Sequence, residues 1–284
     1  NADLGNRDAA CMYAQMLENG EGVEKNIEEA AKYFKISADL GNTEATYHYG
    51  HMLINGQGVA KDEAAGSEYL KKAVELEHPE ALYEYAVNLF YGKGIQKDEY
   101  LAEEYCKKAA IKGSVNAEYF YGVMLFNQEQ YDQSSSYFLT AANKKHKDAS
   151  MKLAFMRLFG CGGQIQFKEA YELFKKYDTD SLAKIGLGIM HENGFFVEKN
   201  YQQALEYYRS TKGTIREPDG IAHEAYMLLV GHGFNKPDEK KAIEMFEYST
   251  HPTQVLDPNA GINNESTLGC AYYYYLTAKK EKKN

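Results

Sequence analysis

His48 and His51 stand three residues apart, a spacing that puts two imidazoles on one side of a helix, where they could share a divalent cation. Two histidines without a third ligand or an ordered carboxylate partner make a poor metal site, so both are read as side chains that touch their neighbours. His191 beside Glu192, and His232 beside Gly231, raise the same chemistry and receive the same reading. Cys161 lies between glycines in a turn, open to modification, yet it is read as an inert thiol. The other cysteines, Cys11, Cys106 and Cys270, form no CxxC pair, which speaks against a zinc or redox centre and for a reducing compartment. No HExxH, Walker loop or GxSxG is present, so no reaction, metal or cofactor is expected. What remains is binding chemistry: 25 tyrosines and no tryptophan, with Tyr47, Tyr83 and Tyr119 spaced 36 residues apart.

That interval governs the chain. "ADLGN" occurs at Ala2 to Asn6 and again at Ala38 to Asn42. From an anchor at Ala9, equivalents follow at Ala45, Ala81, Ala117, Ala149, Ala183 and Ala222. Five places after the anchor comes a column of the smallest residues, Ala14, Gly50, Ala86, Gly122, Ala154 and Gly188, and four places after it Tyr13, Tyr49, Tyr85 and Tyr121. Apolar residues at offsets 0, 4, 7 and 8 make one stripe of a helix, here called A. Glycine inside it costs about 1 kcal/mol relative to alanine, so close approach of a second helix is expected. Helix A ends in "NGEGV", "NGQGV" or "YGKGI", where one glycine supplies the positive φ of a helix stop and the second relaxes the turn. Asn26, Asp62, Asp98, Asn200 and Asp238 then stand as N-caps of a second helix, B.

One such hairpin cannot bury its own apolar stripe, and stacking on a copy completes the core. The expected architecture is all-α: an α-solenoid of about seven hairpins wound as a right-handed superhelix. The regular repeats are 9–44, 45–80 and 81–116, followed by divergent ones at 117–148, 149–182, 183–221 and 222–263 and a capping helix at 264–284. The string from Ala45, "ATYHYGHMLINGQGVAKDEAAGSEYLKKAVE", resembles a Sel-1-like repeat, a relative of the tetratricopeptide repeat with a longer, glycine-marked turn. Leu17, Leu53, Leu89 and Leu125 stand where that family often has tyrosine, and Gly66 replaces its usual helix B alanine. The fourth repeat, "LFNQEQYDQSSSYF" from Leu125, drops the glycine turn and resembles an ordinary tetratricopeptide hairpin.

The resemblance implies a scaffold or adaptor, with a groove lined by offsets 2, 6, 9 and 10 of the A helices. Those positions include Tyr47, His51, Asn55, Tyr83, Val87, Phe90, Tyr91, Tyr119, Val123 and Asn127. Aromatic anchors of this kind dominate interface energetics. The expected guest is a protein or an extended peptide; the competing reading of the tyrosine column is packing between adjacent A helices. Two further readings stand beside it: a hydrolase of cell-wall or β-lactam type, suggested by bacterial proteins with similar repeats but weakened because no repeat carries two cysteines, and a rigid spacer within a larger protein.

A 44% hydrophobic content over 284 residues supports a buried core. The net charge of −9 argues against nucleic acid and anionic membrane surfaces, and "AKKEKKN" at the end reads as a solvated helix terminus. No run of 18 apolar residues predicts a membrane span. A cytoplasmic setting is expected, with the endoplasmic reticulum lumen open as a second. The opening "NADLGN" matches the middle of a repeat, so the natural N-terminus is expected upstream.

Overall fold

The computed structural model describes residues 6–93 and 95–250, and among these every regular element is an α-helix. The expected capping helix at 264–284 and the end of the repeat at 222–263 lie outside the described residues. The chain divides into two compact units, Asn1–His146 and Lys147–Asn284.

In the N-terminal unit eight helices alternate as A and B: α1 Arg7–Asn19, α2 Ile27–Asp39, α3 Thr43–Asn55, α4 Glu63–Glu75, α5 Pro79–Tyr91, α6 Glu99–Ile111, α7 Val115–Asn127 and α8 Tyr131–Asn143. The local chemistry of each boundary is that of the sequence. Gly20, Gly56 and Gly92 close α1, α3 and α5 in the left-handed conformation. Asn26, Asp62 and Asp98 accept the N–H of Glu29, Ala65 and Leu101 at 2.9 to 3.0 Å, capping α2, α4 and α6. The cap residues' own N–H groups reach back to the carbonyls of Leu17, Leu53 and Leu89, pinning each glycine turn to the end of its A helix. Those leucines are buried, as is Leu125, so the place where the resembling family often has tyrosine belongs to the core. The fourth repeat uses Glu129, at φ 61°, in place of glycine to make its tight turn.

The second glycine, at φ 72° in Gly22 and 67° in Gly58, serves the turn as expected, and Gly58 has a further task. Gly58 lies against the preceding repeat, where an added Cβ would collide with the carbonyl of Ile27 at the start of α2. It sets the approach of repeat to repeat. Within a repeat, Gly50 and Gly66 face each other across α3 and α4; a Cβ on Gly66 would meet the Gly50 carbonyl oxygen at 2.7 Å. This close crossing is the packing reason for a helical glycine, and it explains why Gly66 stands in place of alanine. Gly122 likewise leaves room for the ring of Phe138.

The core joins successive repeats: Ala14, Leu17, Ala30, Phe34, Ala45, Tyr49 and Met52 form one buried cluster through α1 to α3, with Ala65 and Tyr69 of α4 packed against it. At each hairpin an A-helix tyrosine meets a B-helix tyrosine edge to face: Tyr13 with Tyr33, Tyr49 with Tyr69, Tyr85 with Tyr105 and Tyr121 with Tyr137, with ring centroids 4.8 to 4.9 Å apart.

The C-terminal unit continues the alternation with α9 Lys147–Phe159, α10 Phe167–Lys176, α11 Ser181–Asn193, α12 Tyr201–Arg209, α13 Glu217–Val230 and α14 Glu239–Thr250. Asn200 and Asp238 accept the N–H groups of Gln203 and Lys241 at 3.0 Å, again as N-caps. Phe196, at φ 65°, occupies the second-glycine place. Met151, Leu158, Phe174, Leu187, Met190, Leu205 and Tyr208 build its core. Each unit is thus an α-solenoid of stacked helix pairs.

Candidate functional site

Offset 2 on α3, α5 and α7 carries Tyr47, Tyr83 and Tyr119, all half-buried. Tyr47 does more than line a surface. Its ring stacks on His78 with centroids 4.3 Å apart and an interplanar angle of 15°, and its hydroxyl donates to Glu84 Oε1 at 2.9 Å. Burial and the Glu84 carboxylate push the Tyr47 phenol upward from 10.0, which keeps it protonated and donating. His51 Nε2 lies 3.2 Å from the same carboxylate, and that hydrogen bond raises the imidazole from its ordinary 6.5. One glutamate on α5 therefore gathers a tyrosine and a histidine from α3.

A second carboxylate does the same from the other side. Glu44 accepts from His48 Nε2 at 3.2 Å and from His78 Nε2 at 2.9 Å, and these bonds hold it well below the usual carboxylate range. His78 is the N-cap of α5: its Nδ1 accepts the Ala81 N–H at 3.3 Å, so its hydrogen sits on Nε2 and faces Glu44. His48 also stacks on Phe34, and its Nδ1 lies 3.8 Å from Glu18. The two histidines whose spacing suggested a shared metal thus turn to different glutamates, and among the described residues no group of three or more His, Cys, Asp or Glu could hold a metal ion.

Further along, Tyr83 and Phe90 both pack edge-on to Phe120, at 6.1 and 5.4 Å, joining α5 to α7. Tyr91 is 41% exposed and takes the Lys93 ammonium 5.3 Å from its ring centroid. Tyr119 stacks on His146 at 4.6 Å, repeating the Tyr47–His78 arrangement. Asn55 and Asn127 are exposed and Val87 is half-buried. Val123 is only 5% exposed, because α7 is buried on most sides, so it presents little to a guest. The structure brings Tyr47 and His51 together, gathers Tyr83, Phe90 and Tyr91 near Phe120, and leaves Asn55, Tyr91 and Asn127 at the surface. Sequence reasoning missed Glu44, Glu84 and His78. Their available signal was position: Glu44 and Glu80 precede successive anchors by one residue, and His78 and His146 precede theirs by three.

The other flagged residues do not assemble a catalytic centre. In the C-terminal unit, Glu192 is buried and accepts the Tyr208 hydroxyl at 2.7 Å, and burial raises its carboxyl to about 7. Tyr208 stacks on His223, which complete burial lowers to about 3. His191 stacks on Tyr207, and His232 on Tyr201. A cleft of about 540 Å³ borders α12, α13 and α14, with Arg209 donating to Glu224 beside it at 2.6 Å. Burial pushes the Cys11 thiol up to about 11 and that of Cys106 higher, which keeps both unreactive. No described helix is long and apolar enough to cross a membrane.

No curated protein matches the sequence. Among solved structures, the chain is similar to a Sel1 repeat protein from Oxalobacter formigenes, at 24% identity and a TM-score of 0.59, over 72% of this chain and 87% of that one. It is also similar to a protective antigen of uropathogenic Escherichia coli displaying an SLR fold, at 24% identity and a TM-score of 0.63, over 97% of this chain. The match spans 61% of the length of that antigen. These likenesses concern the fold. The Sel1 repeat family itself matches residues 7–42, 43–78, 79–114, 181–211 and 221–249, more than half of the chain. With the glycine-closed A helices, the Asn and Asp caps of the B helices and the core shared between repeats, these five segments make the chain a member of the Sel1 repeat family.

Proposed function

We propose that the protein is an interaction scaffold that holds a partner protein, through an extended segment, against the A-helix face of its N-terminal unit, and that it catalyses no reaction. The supporting observation is the strip on α3, α5 and α7 in which half-buried rings, Tyr47, Tyr83 and Phe90, adjoin the exposed Asn55, Tyr91 and Asn127. Rings fixed by their neighbours bind with little loss of side-chain entropy, and the amides beside them offer donors and acceptors to a peptide backbone. The hydrolase reading gains no comparable support, since the titratable groups in this strip are engaged with each other.

Replacing Tyr47 by alanine is a poor test, because it would also strand Glu84 and uncover His78. A photo-crosslinking residue at position 91, and a second at 127, should capture the same partner in living cells, whereas one at Lys32, exposed on α2, should not. Equal capture from all three positions, or none from 91 and 127, would defeat the assignment of the face.

A further inference from the structure

Lysine and arginine are sorted between the two kinds of helix in the N-terminal unit. Helices α3, α5 and α7 contain no lysine or arginine, and α1 has only Arg7 at its first position. The B helices α2, α4 and α6 hold Lys32, Lys35, Lys71, Lys72, Lys107 and Lys108. Glu18, Glu44, Glu80 and Glu84 all belong to A helices, around the rings of Tyr47 and its neighbours. The B helices carry acids as well, so both kinds of helix are net negative; what differs is that α3, α5 and α7 hold their glutamates with no lysine or arginine on the same helix. Glu44 and Glu84 are met by histidines, Glu118 on α7 is met by Lys144 at 2.7 Å, and the lysines near the glycine turns are already committed, Lys61 to Glu63 and Lys97 to Glu99 at 2.6 Å.

From this sorting we infer that the A-helix face of the N-terminal unit takes a positively charged partner segment, with lysine or arginine side chains set along an extended backbone. The inference rests on the reading of that face as a binding surface and adds the chemistry of the guest. Three features favour a cation there. Glu44 and Glu84 are held in place by hydrogen bonds from Tyr47, His48, His51 and His78, yet their side chains remain 48% and 37% exposed. Each bound carboxylate oxygen keeps a second lone pair for an incoming ammonium or guanidinium, without the entropy cost of ordering a loose side chain. Glu80, half-buried on α5, forms no ion pair with a described residue and adds charge between them. The aromatic component agrees: the face of Tyr91 already attracts the Lys93 ammonium, as the ring quadrupole dictates. A carboxylate-rich segment would meet repulsion at each glutamate, a cost that suppresses the wrong partner. In the C-terminal unit α9 and α11 carry Lys147, Lys152, Arg157 and Lys184, so the absence of cations lapses on those two helices, while α13 again has no lysine or arginine.

The test is fluorescence anisotropy with three synthetic peptides of roughly twelve residues, about 40 Å when extended, bearing lysine and arginine, glutamate, or only serine and alanine at alternate positions. The basic peptide should bind, and raising ionic strength from about 0.05 to about 0.5 M should weaken it by about tenfold or more as the charges are screened. Glu80→Lys, which leaves the hydrogen bonds of Glu44 and Glu84 in place, should weaken it by at least about fivefold with the circular dichroism spectrum unchanged. Failure of the basic peptide to bind, or equal binding of the acidic or uncharged one, overturns the inference. Crosslinking at position 91 distinguishes the two levels: if it still captures a partner, the binding face stands and only its charge preference is lost; if it captures none, the face itself is lost.

Discussion

His51 reaches from α3 toward Glu84 on α5, and the hydrogen bond between them favours the imidazolium. Its folded pKa is raised, so the stabilisation from this pair is fully present below the unfolded value of 6.5 and is lost as pH climbs through the raised one. Glu84→Gln should lower the His51 titration to 6.5 or below, since burial then acts alone, read by NMR of the ring protons; an unmoved midpoint would dismiss the pairing. Glu192 provides a second, buried case. Burial raises it from 4.5 to about 7, so stability is complete below about 4.5 and falls as pH rises through about 7. The loss is on the order of 3 kcal/mol, and Glu192→Gln should flatten the melting temperature across that window. A slope equal to wild type would show that Glu192 ionises without penalty. Neither pairing was legible in the sequence. The spacing of His48 and His51 pointed to a common ligand, but His48 turns to Glu44 on its own helix and His51 to Glu84 on α5, and no local pattern encodes which residue of a neighbouring repeat arrives opposite.

Helix ends were far more legible than helix crossings. Asn26, Asp62 and Asp98 announce α2, α4 and α6 because capping is satisfied within three residues, and Gly20, Gly56 and Gly92 announce the stops for the same local reason. Gly58 was legible as a turn glycine but not as a packing one, since the Ile27 carbonyl it accommodates lies in another repeat. Gly58→Ala should cost at least about 1–3 kcal/mol from the left-handed backbone alone, measured by urea unfolding, and a neutral result would mean that the junction can yield. The paired tyrosines are the other inter-helix device. A double-mutant cycle on Tyr85 and Tyr105 should return a coupling of about 0.5–1.5 kcal/mol beyond the area each ring buries, and zero coupling would make them independent core residues.

At the scale of the molecule, the 36-residue recurrence made the solenoid readable before any contact was known, because a hairpin with one apolar stripe has to stack. The chemistry of the A-helix face was only half readable. Its tyrosines lie in register, whereas His78 recurs only at His146 and Glu84, which accepts from Tyr47, has no glutamate at the equivalent place in the neighbouring repeats, so the periodic trace is faint. Stability should follow the same one-dimensional logic. Phe34→Ala empties a fully buried site between the first two repeats and should cost about 3–5 kcal/mol. In hydrogen exchange the lost protection should concentrate in α1 to α4 and leave α9 to α13 at wild-type rates; uniform loss throughout would mean a single cooperative globule.

The edge-to-face tyrosines have an optical consequence. Since the chain has no tryptophan, its longest-wavelength ultraviolet bands come from tyrosine, and four phenols held at nearly the same angle to a second ring should couple as excitons. Opening one hairpin should remove one share of that dichroic signal, so unlabelled protein can report, hairpin by hairpin, how much of the N-terminal stack is intact.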